Sequence, residues 1–135
     1  MNDFNRAVIE EFRANDGRVG GQFEGSSVLL LTTTGAKTGE RRTTPVVYMP
    51  DGARTVIFAS KAGAPTNPAW FHNLLAHPSV TVEVGSETFD ATAVVITGEE
   101  RDRLFDRQAG RYPQFAEYAR KTTRQIPVIA LERKG

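Results

Sequence analysis

The chain has 135 residues, 39% of them hydrophobic and 24% charged, with a formal net charge of +1, the balance of one ordinary globular domain of about 150 residues or fewer. This excludes a disordered or collagenous chain and a membrane-spanning helix, since no run approaches about 18 apolar residues, and the near-neutral total argues against a dedicated nucleic-acid binder. Cysteine is absent and His72 and His77 are the only histidines, so disulfides, thiolate zinc sites and a cysteine nucleophile are excluded and no metal centre is expected.

The charged start, MNDFNRAVIEEF, lacks the apolar centre of a signal peptide, which makes the cytoplasm the expected location. Residues Asn2 to Asn15 read as a helix with Phe4, Val8 and Phe12 on one stripe and Gly17 as its stop. That stripe suits packing on the rest of the fold. Contact with the inner face of a membrane is the alternative, disfavoured by three arginines and four acids among residues 1–20. Ser27 to Thr34 reads as a strand, Gly35 to Gly39 as a turn and Arg42 to Met49 as a second strand. Pro50-Asp51-Gly52 turns the chain into a third strand, Thr55 to Ser60. After a loop from Lys61 to Thr66, Asn67 reads as the cap and Pro68 as the first position of a short helix reaching about Ala76. Val80–Val84 and Thr88–Ile96 pair across Gly85-Ser86. Thr97 or Gly98 opens a helix running towards Gly110, Tyr112 to Lys121 forms another, and Ile126 to Glu132 is the last strand.

Short strands joined mostly by hairpins, without β-α-β alternation, predict an α+β, mainly β fold. The expected architecture is a six-stranded antiparallel barrel whose short helices close its ends. The expected layout is one domain over 1–135, with the N-terminal helix in 1–20 and the barrel in 26–132.

Three constellations bear on chemistry. Residues Gly35 to Pro65 carry Lys37, Arg41, Arg42, Arg54 and Lys61 against Glu40 and Asp51, a net +3 that leaves −2 for the rest. Glycine-bracketed turns with lysine and arginine beside them suit an anion, phosphate or polycarboxylate; an ordinary solvated turn is the alternative. The pattern is neither a Walker loop nor a dinucleotide fingerprint. Ser60 to Asn73 combines a basic loop with a helix start and the only tryptophan, Trp70, which on residue type alone is a core or lid aromatic. Tyr112, Phe115 and Tyr118 lie on one helical face, either packing on the barrel or forming an aromatic wall whose phenols can donate protons.

As a set, Thr34-Gly35-Ala36-Lys37-Thr38-Gly39, Arg42-Thr43-Thr44-Pro45-Val46, Ser60-Lys61-Ala62-Gly63-Ala64-Pro65 and Pro68-Ala69-Trp70-Phe71-His72-Asn73-Leu74, followed by Tyr112, Phe115 and Tyr118, resemble the deazaflavin-dependent nitroreductase family. These are quinone and nitro reductases that use reduced coenzyme F420. The resemblance covers the chain from about Ser26 to Glu132. It implies a split β-barrel of the flavin-reductase type and hydride transfer to a quinone, nitroaromatic or similar flat, electron-poor acceptor. It implies that Ala36, Lys37, Thr38, Arg42, Thr43 and Thr44 hold the anionic part of the cofactor, with Pro45, Val46 and Val47 against its ring. It further implies that Phe58, Ala59, Ser60, Lys61, Ala69, Trp70, Phe71, His72 and Asn73 line the groove and that Phe115 adjoins it. Tyr112, Tyr118 and Ser60 match the residues the family places over the ring to supply a proton. The chain departs from the pattern at Phe115, often tyrosine, at Ala62, commonly glycine, and at Asn67, often histidine. The alternatives are a non-catalytic module for the deazaflavin or another anionic tetrapyrrole or lipid-like ligand, and a split barrel that binds flavin mononucleotide.

Overall fold

A computed structural model describes residues 3–20 and 27–134, with side chains from Asn5 onward. The expected helix start at Asn2, the side chain of Phe4 and the barrel start at Ser26 lie outside the described residues. In chain order the elements are α1 (Asp3–Ala14), β1 (Val28–Thr34), β2 (Arg41–Asp51), β3 (Arg54–Phe58), a single 3-10 turn (Lys61–Gly63), α2 (Ala69–Ala76), β4 (Ser79–Val84), β5 (Glu87–Ile96), α3 (Gly98–Arg111), α4 (Gln114–Lys121) and β6 (Val128–Arg133). The strands close a barrel in the order β1-β2-β3-β6-β5-β4, every neighbour antiparallel. This is the six-stranded α+β barrel expected from the hairpin-rich pattern.

Period-2 alternation sorts the strand residues onto two faces. Leu29, Leu31, Val46, Ile57, Val80, Val82, Ala91, Ala93, Ile129 and Leu131 form the interior, and Trp70, Phe71 and Leu74 of α2 plug one end of it. That end, called upper here, also carries the β1–β2 turn and the loop after β3. The opposite parity makes a second core outside the barrel, where Met49, Val56, Phe58, Ile96, Val128 and Ala130 lie under Leu104 and Phe105 of α3 and Phe115 of α4. A third, smaller core seats Ile9 and Phe12 of α1 on Leu30; of the expected stripe, Phe12 packs there and Val8 is buried. No helix among the described residues is long and apolar enough to cross a membrane.

The lower end carries the β2–β3 and β4–β5 hairpins. Gly17 follows α1 with φ +96°, and a Cβ there would lie 2.6 Å from Cα of Gly85. Backbone contacts backbone at that point, which fixes α1 to the β4–β5 hairpin. One local expectation is corrected. Asn67 does not cap α2: the cap position is Pro68, with no side-chain cap bond, and the Asn67 side-chain Oδ1 accepts instead from Arg124 Nη1 at 2.8 Å.

Candidate functional site: an open strand edge at the upper end

The barrel is split along β2. Its residues Arg41–Val47 pair with β1, but β3 pairs only with Tyr48–Asp51. β3 ends at Phe58 and the chain departs, so the other edge of β2 from Arg41 to Val47 has no strand partner. Pro45, which has no N–H to offer a ladder, is tolerated on such an edge. A run of unpaired peptide groups is a template for a ligand that presents its own donors and acceptors.

The loop leaving β3 belongs to the same end. Ser60 is right-handed (φ −76°, ψ −39°), while Lys61 (φ +46°), Ala62 (φ +53°) and Gly63 (φ +80°) are left-handed. A right-handed residue followed by a left-handed one turns successive N–H groups into one concavity, a backbone nest for negative charge. Among the described residues no hydrogen bond uses the N–H of Ser60, Lys61 or Ala62; the bonds here run from Gly63 N to Ser60 O (2.9 Å) and Ala64 N to Lys61 O (3.0 Å). Left-handed φ at two non-glycine residues costs about 1–2 kcal/mol each, and such strain clusters at functional sites. Gly63 meets α4 closely: a Cβ would lie 2.9 Å from the carbonyl oxygen and 3.0 Å from Cα of Tyr118. The loop and α4 are therefore one packed unit. Tyr112, expected on the same helix, is instead the residue that ends α3, in extended conformation (φ −128°, ψ 93°), so α4 carries only Phe115 and Tyr118 of the expected face.

Two polar side chains clamp this end. Asn73 of α2 is buried and uses both halves of its amide, Oδ1 accepting from Ala36 N (3.0 Å) and Nδ2 donating to Thr33 Oγ1 (3.1 Å). It thus ties the β1–β2 turn to the plug helix. Arg124, between α4 and β6, donates to the carbonyls of Ala59 (3.1 Å), Ser60 (2.9 Å) and Ala64 (3.0 Å) and to Asn67. Burial pulls this guanidinium below its ordinary pKa. Motif reading missed Arg124, because a single arginine in a connection carries no sequence signal.

The residues expected at the site fall into two groups. Ala36, Lys37, Thr38, Arg42, Lys61, Ala69 and His72 are exposed, and Thr43, Thr44, Val47, Ser60, Tyr112 and Tyr118 are half-buried. Pro45, Val46, Phe58, Ala59, Trp70, Phe71, Asn73 and Phe115 are buried and form the wall behind. Phe115 stands edge-on to Phe58 (5.7 Å between centroids) and Tyr118 (5.3 Å). The strand run 42–47 also divides by pleat. Arg42, Thr44 and Val46 share parity with the barrel interior, whereas Thr43, Pro45 and Val47 face outward with Leu30 and the α3–α4 core. Thr43 Oγ1 lies 2.8 Å from Thr32 Oγ1.

Charge at this end is largely uncompensated. Of Lys37, Arg41, Arg42, Lys61 and Arg124, only Arg42 has a carboxylate within 4.0 Å among the described residues, that of Glu40 at 3.2 Å. Arg54 and Asp51, counted with the basic stretch in the sequence, pair with each other at the lower end at 2.6 Å. The fold thus removes one cation and one anion from that stretch and leaves its +3 at the upper end. A cavity of about 370 Å³ lined by Asp16, Arg18, Val28, Tyr48 and Val84 lies at the lower end instead, away from these groups. No cluster of three or more candidate metal ligands exists among the described residues.

The F420H(2)-dependent quinone reductase family model matches residues 4–133 of the chain. The chain belongs to that family. It is 41% identical over 130 residues to an F420H(2)-dependent quinone reductase of Mycobacterium tuberculosis (strain H37Rv), covering 91% of this chain and 85% of the relative. It is also similar to the solved structure of an F420-H2 dependent reductase, FDR-A, at 39% identity and TM-score 0.72 over 78% of this chain and 94% of that one. A structure described as a domain-swapped dimer matches at 36% identity and TM-score 0.74, over 96% and 98% of the two chains. Membership makes the protein an oxidoreductase with coenzyme F420 as its cofactor.

The residues present fit such a group. An aromatic ring with polar edges matches the open edge of β2 and the three free N–H groups, and a polyanionic tail matches cations without counter-ions.

Proposed function

We propose that this chain, acting as one domain, is a reductase that delivers a hydride from reduced coenzyme F420 to a quinone, with nitroaromatics and similar flat, electron-poor molecules as further acceptors. The observation that carries this reading is the open β2 edge at the same end of the barrel as a strained loop with three unused N–H groups, where Lys37, Arg41 and Lys61 have no carboxylate within 4.0 Å among the described residues. The bound deazaflavin supplies the two-electron hydride chemistry; the chain supplies position, charge and a proton.

In this reading Lys37 and Arg42, with Ala36, Thr38, Thr43 and Thr44 beside them, hold the anionic part. The β2 edge at Pro45–Val47 and the N–H groups of Ser60 and Lys61 hold the ring. Phe58, Ala59, Trp70, Phe71 and Phe115 support from behind, Asn73 fixes the turn that carries Lys37, and Ala69 and His72 border the groove. Tyr118 and Tyr112 are half-buried, and the Tyr118 backbone touches the cofactor loop through Gly63. In this reading their hydroxyls and that of Ser60 supply the proton. Phe115 cannot serve: it has no hydroxyl, and its ring is enclosed by Phe58, Tyr112 and Tyr118.

The test mixes purified protein, reduced coenzyme F420 and menadione and follows the return of oxidised deazaflavin absorbance. Turnover with menadione is expected, with slower turnover on a nitroaromatic. Binding without turnover on any of several quinones and nitroaromatics overturns the reductase reading in favour of a binding module. A yellow protein that releases flavin on heating overturns the cofactor assignment in favour of flavin mononucleotide.

A further inference from the structure

The left-handed run Lys61–Ala62–Gly63 contains two residues that ordinarily avoid that conformation. A strained backbone persists only where its surroundings over-determine it. On one side the run is backed by the close contact of Gly63 with α4. On the other it is held by Arg124, whose Nε, Nη1 and Nη2 reach four acceptors spread over the loop from Ala59 to Asn67. The planar guanidinium fork sets the spacing of those carbonyls, which a lysine ammonium cannot do. Among the described residues no carboxylate lies within 4.0 Å of Arg124, although its burial disfavours the charged form. A partly buried cation that forgoes a counter-ion for backbone carbonyls is costly as a stability device, so its placement calls for a role in the loop it holds.

We propose that Arg124 is the positioning residue of the cofactor groove. By gripping the loop at Ala59, Ser60, Ala64 and Asn67 it keeps Lys61 and Ala62 left-handed, so that the N–H groups of Ser60, Lys61 and Ala62 stay convergent before the cofactor arrives. Preorganisation of this kind raises affinity by removing the cost of ordering the loop on binding. The proposal rests on the reading that this loop faces the cofactor. The left-handed φ of +53° at Ala62 is part of the strain that Arg124 opposes.

The test compares wild-type, R124K, A62G and the double variant by fluorescence titration with oxidised coenzyme F420. Thermal melts and mass-spectrometric mapping of tryptic cleavage after Lys61 are run in parallel. R124K is expected to weaken binding about tenfold in the wild-type background and only about threefold with glycine at 62, a coupling that independent sites do not show. It is also expected to loosen the loop and speed tryptic cleavage after Lys61. R13A, which breaks the Arg13–Glu83 pair far from the loop, is expected to lower Tm with unchanged affinity. An R124K protein that loses Tm but binds as wild-type overturns the proposal, as does the same loss in both backgrounds. If wild-type itself fails to bind, the cofactor reading falls, and cleavage after Lys61 still decides whether Arg124 holds the loop: unchanged cleavage in R124K overturns it.

Discussion

The two ends of the barrel use arginine in opposite ways. At the lower end four are paired with carboxylates. Arg54 meets Asp51 at 2.6 Å and Glu100 at 3.3 Å, Arg107 meets Asp51 at 3.5 Å, Arg13 meets Glu83 at 2.9 Å and Arg133 meets Glu87 at 2.9 Å. At the upper end Arg41 spends its donors on the hydroxyls of Thr34 and Thr81, Arg124 on backbone carbonyls, and Lys61 on Thr66. Paired charges hold hairpins together. Charges left without counter-ions, beside unpaired peptide groups and a strained loop, are a binding surface maintained at a cost to stability.

The largest effect separating the ends is expected from glycine substitution. Gly63→Ala forces a Cβ to within 3.0 Å of the Tyr118 backbone at a φ of +80°. Overpacking and left-handed strain together cost about 2–4 kcal/mol, with loss of cofactor binding. Gly52→Ala in the lower hairpin also has positive φ, but nothing lies within 4 Å of the added Cβ, so it costs only about 1–2 kcal/mol and leaves binding intact. Thermal melts and cofactor titration on both variants check the pair. Equal effects on binding would break the distinction.

Removing cations comes next. Lys37→Ala and Arg42→Ala are each expected to weaken cofactor binding by about 1–3 kcal/mol, the worth of a charge-assisted bond, with little change in Tm. Arg54→Ala should do the reverse, lowering Tm and leaving affinity alone. Unchanged affinity in both upper-end variants would contradict the assignment of the anionic tail.

A buried polar group in α3 gives a third, smaller effect. Gln108 of α3 is fully buried, and neither amide atom has a hydrogen-bond partner among the described residues. Gln108→Leu is expected to raise stability by about 1–2 kcal/mol, read as an increase in Tm, because an unsatisfied buried amide costs about that much. Unchanged cofactor affinity would assign the amide to packing alone.

The smallest effect is a pH dependence confined to the lower end. The hydrogen bond from Arg54, together with the nearby charges of Arg107 and Arg103, holds the Asp51 carboxyl below its ordinary pKa. A group depressed in the folded state contributes stability above its unfolded pKa of about 3.9 and loses it as pH falls through the folded value. Stability should therefore decline below about pH 4, and Asp51→Asn should flatten that part of an acid titration of Tm. An unaltered acid limb in D51N would show that the lower-end network contributes nothing.

Most of the barrel was legible because it is written in local signals. Val28 to Leu31 is an apolar run followed by three threonines, the turns at Gly52 and Gly85 stand between strands, and the glycine-bracketed turn before Arg42 marks the upper end. The site was legible mainly as a set of motifs whose residues the fold then divides. Thr43 and Thr44 are neighbours in sequence but face opposite sides of β2. Phe58, Trp70 and Phe115 prove to be wall rather than surface. Arg54 was counted with the cofactor turns because proximity in sequence says nothing of which barrel end a residue reaches. Arg124 and the open edge of β2 were invisible for a related reason. The first acts through bonds spanning 57 to 65 residues of separation, and the second exists only because β3 stops seven residues short of covering β2.

The most direct measurement is an experimental structure of the protein with oxidised coenzyme F420 bound. The account predicts the deazaflavin ring against the unpaired Arg41–Val47 edge and the N–H groups of Ser60 to Ala62, with the anionic tail beside Lys37 and Arg42. A cofactor seated in the lower cavity beside Tyr48 and Arg18, or a tail remote from both Lys37 and Arg42, would contradict it.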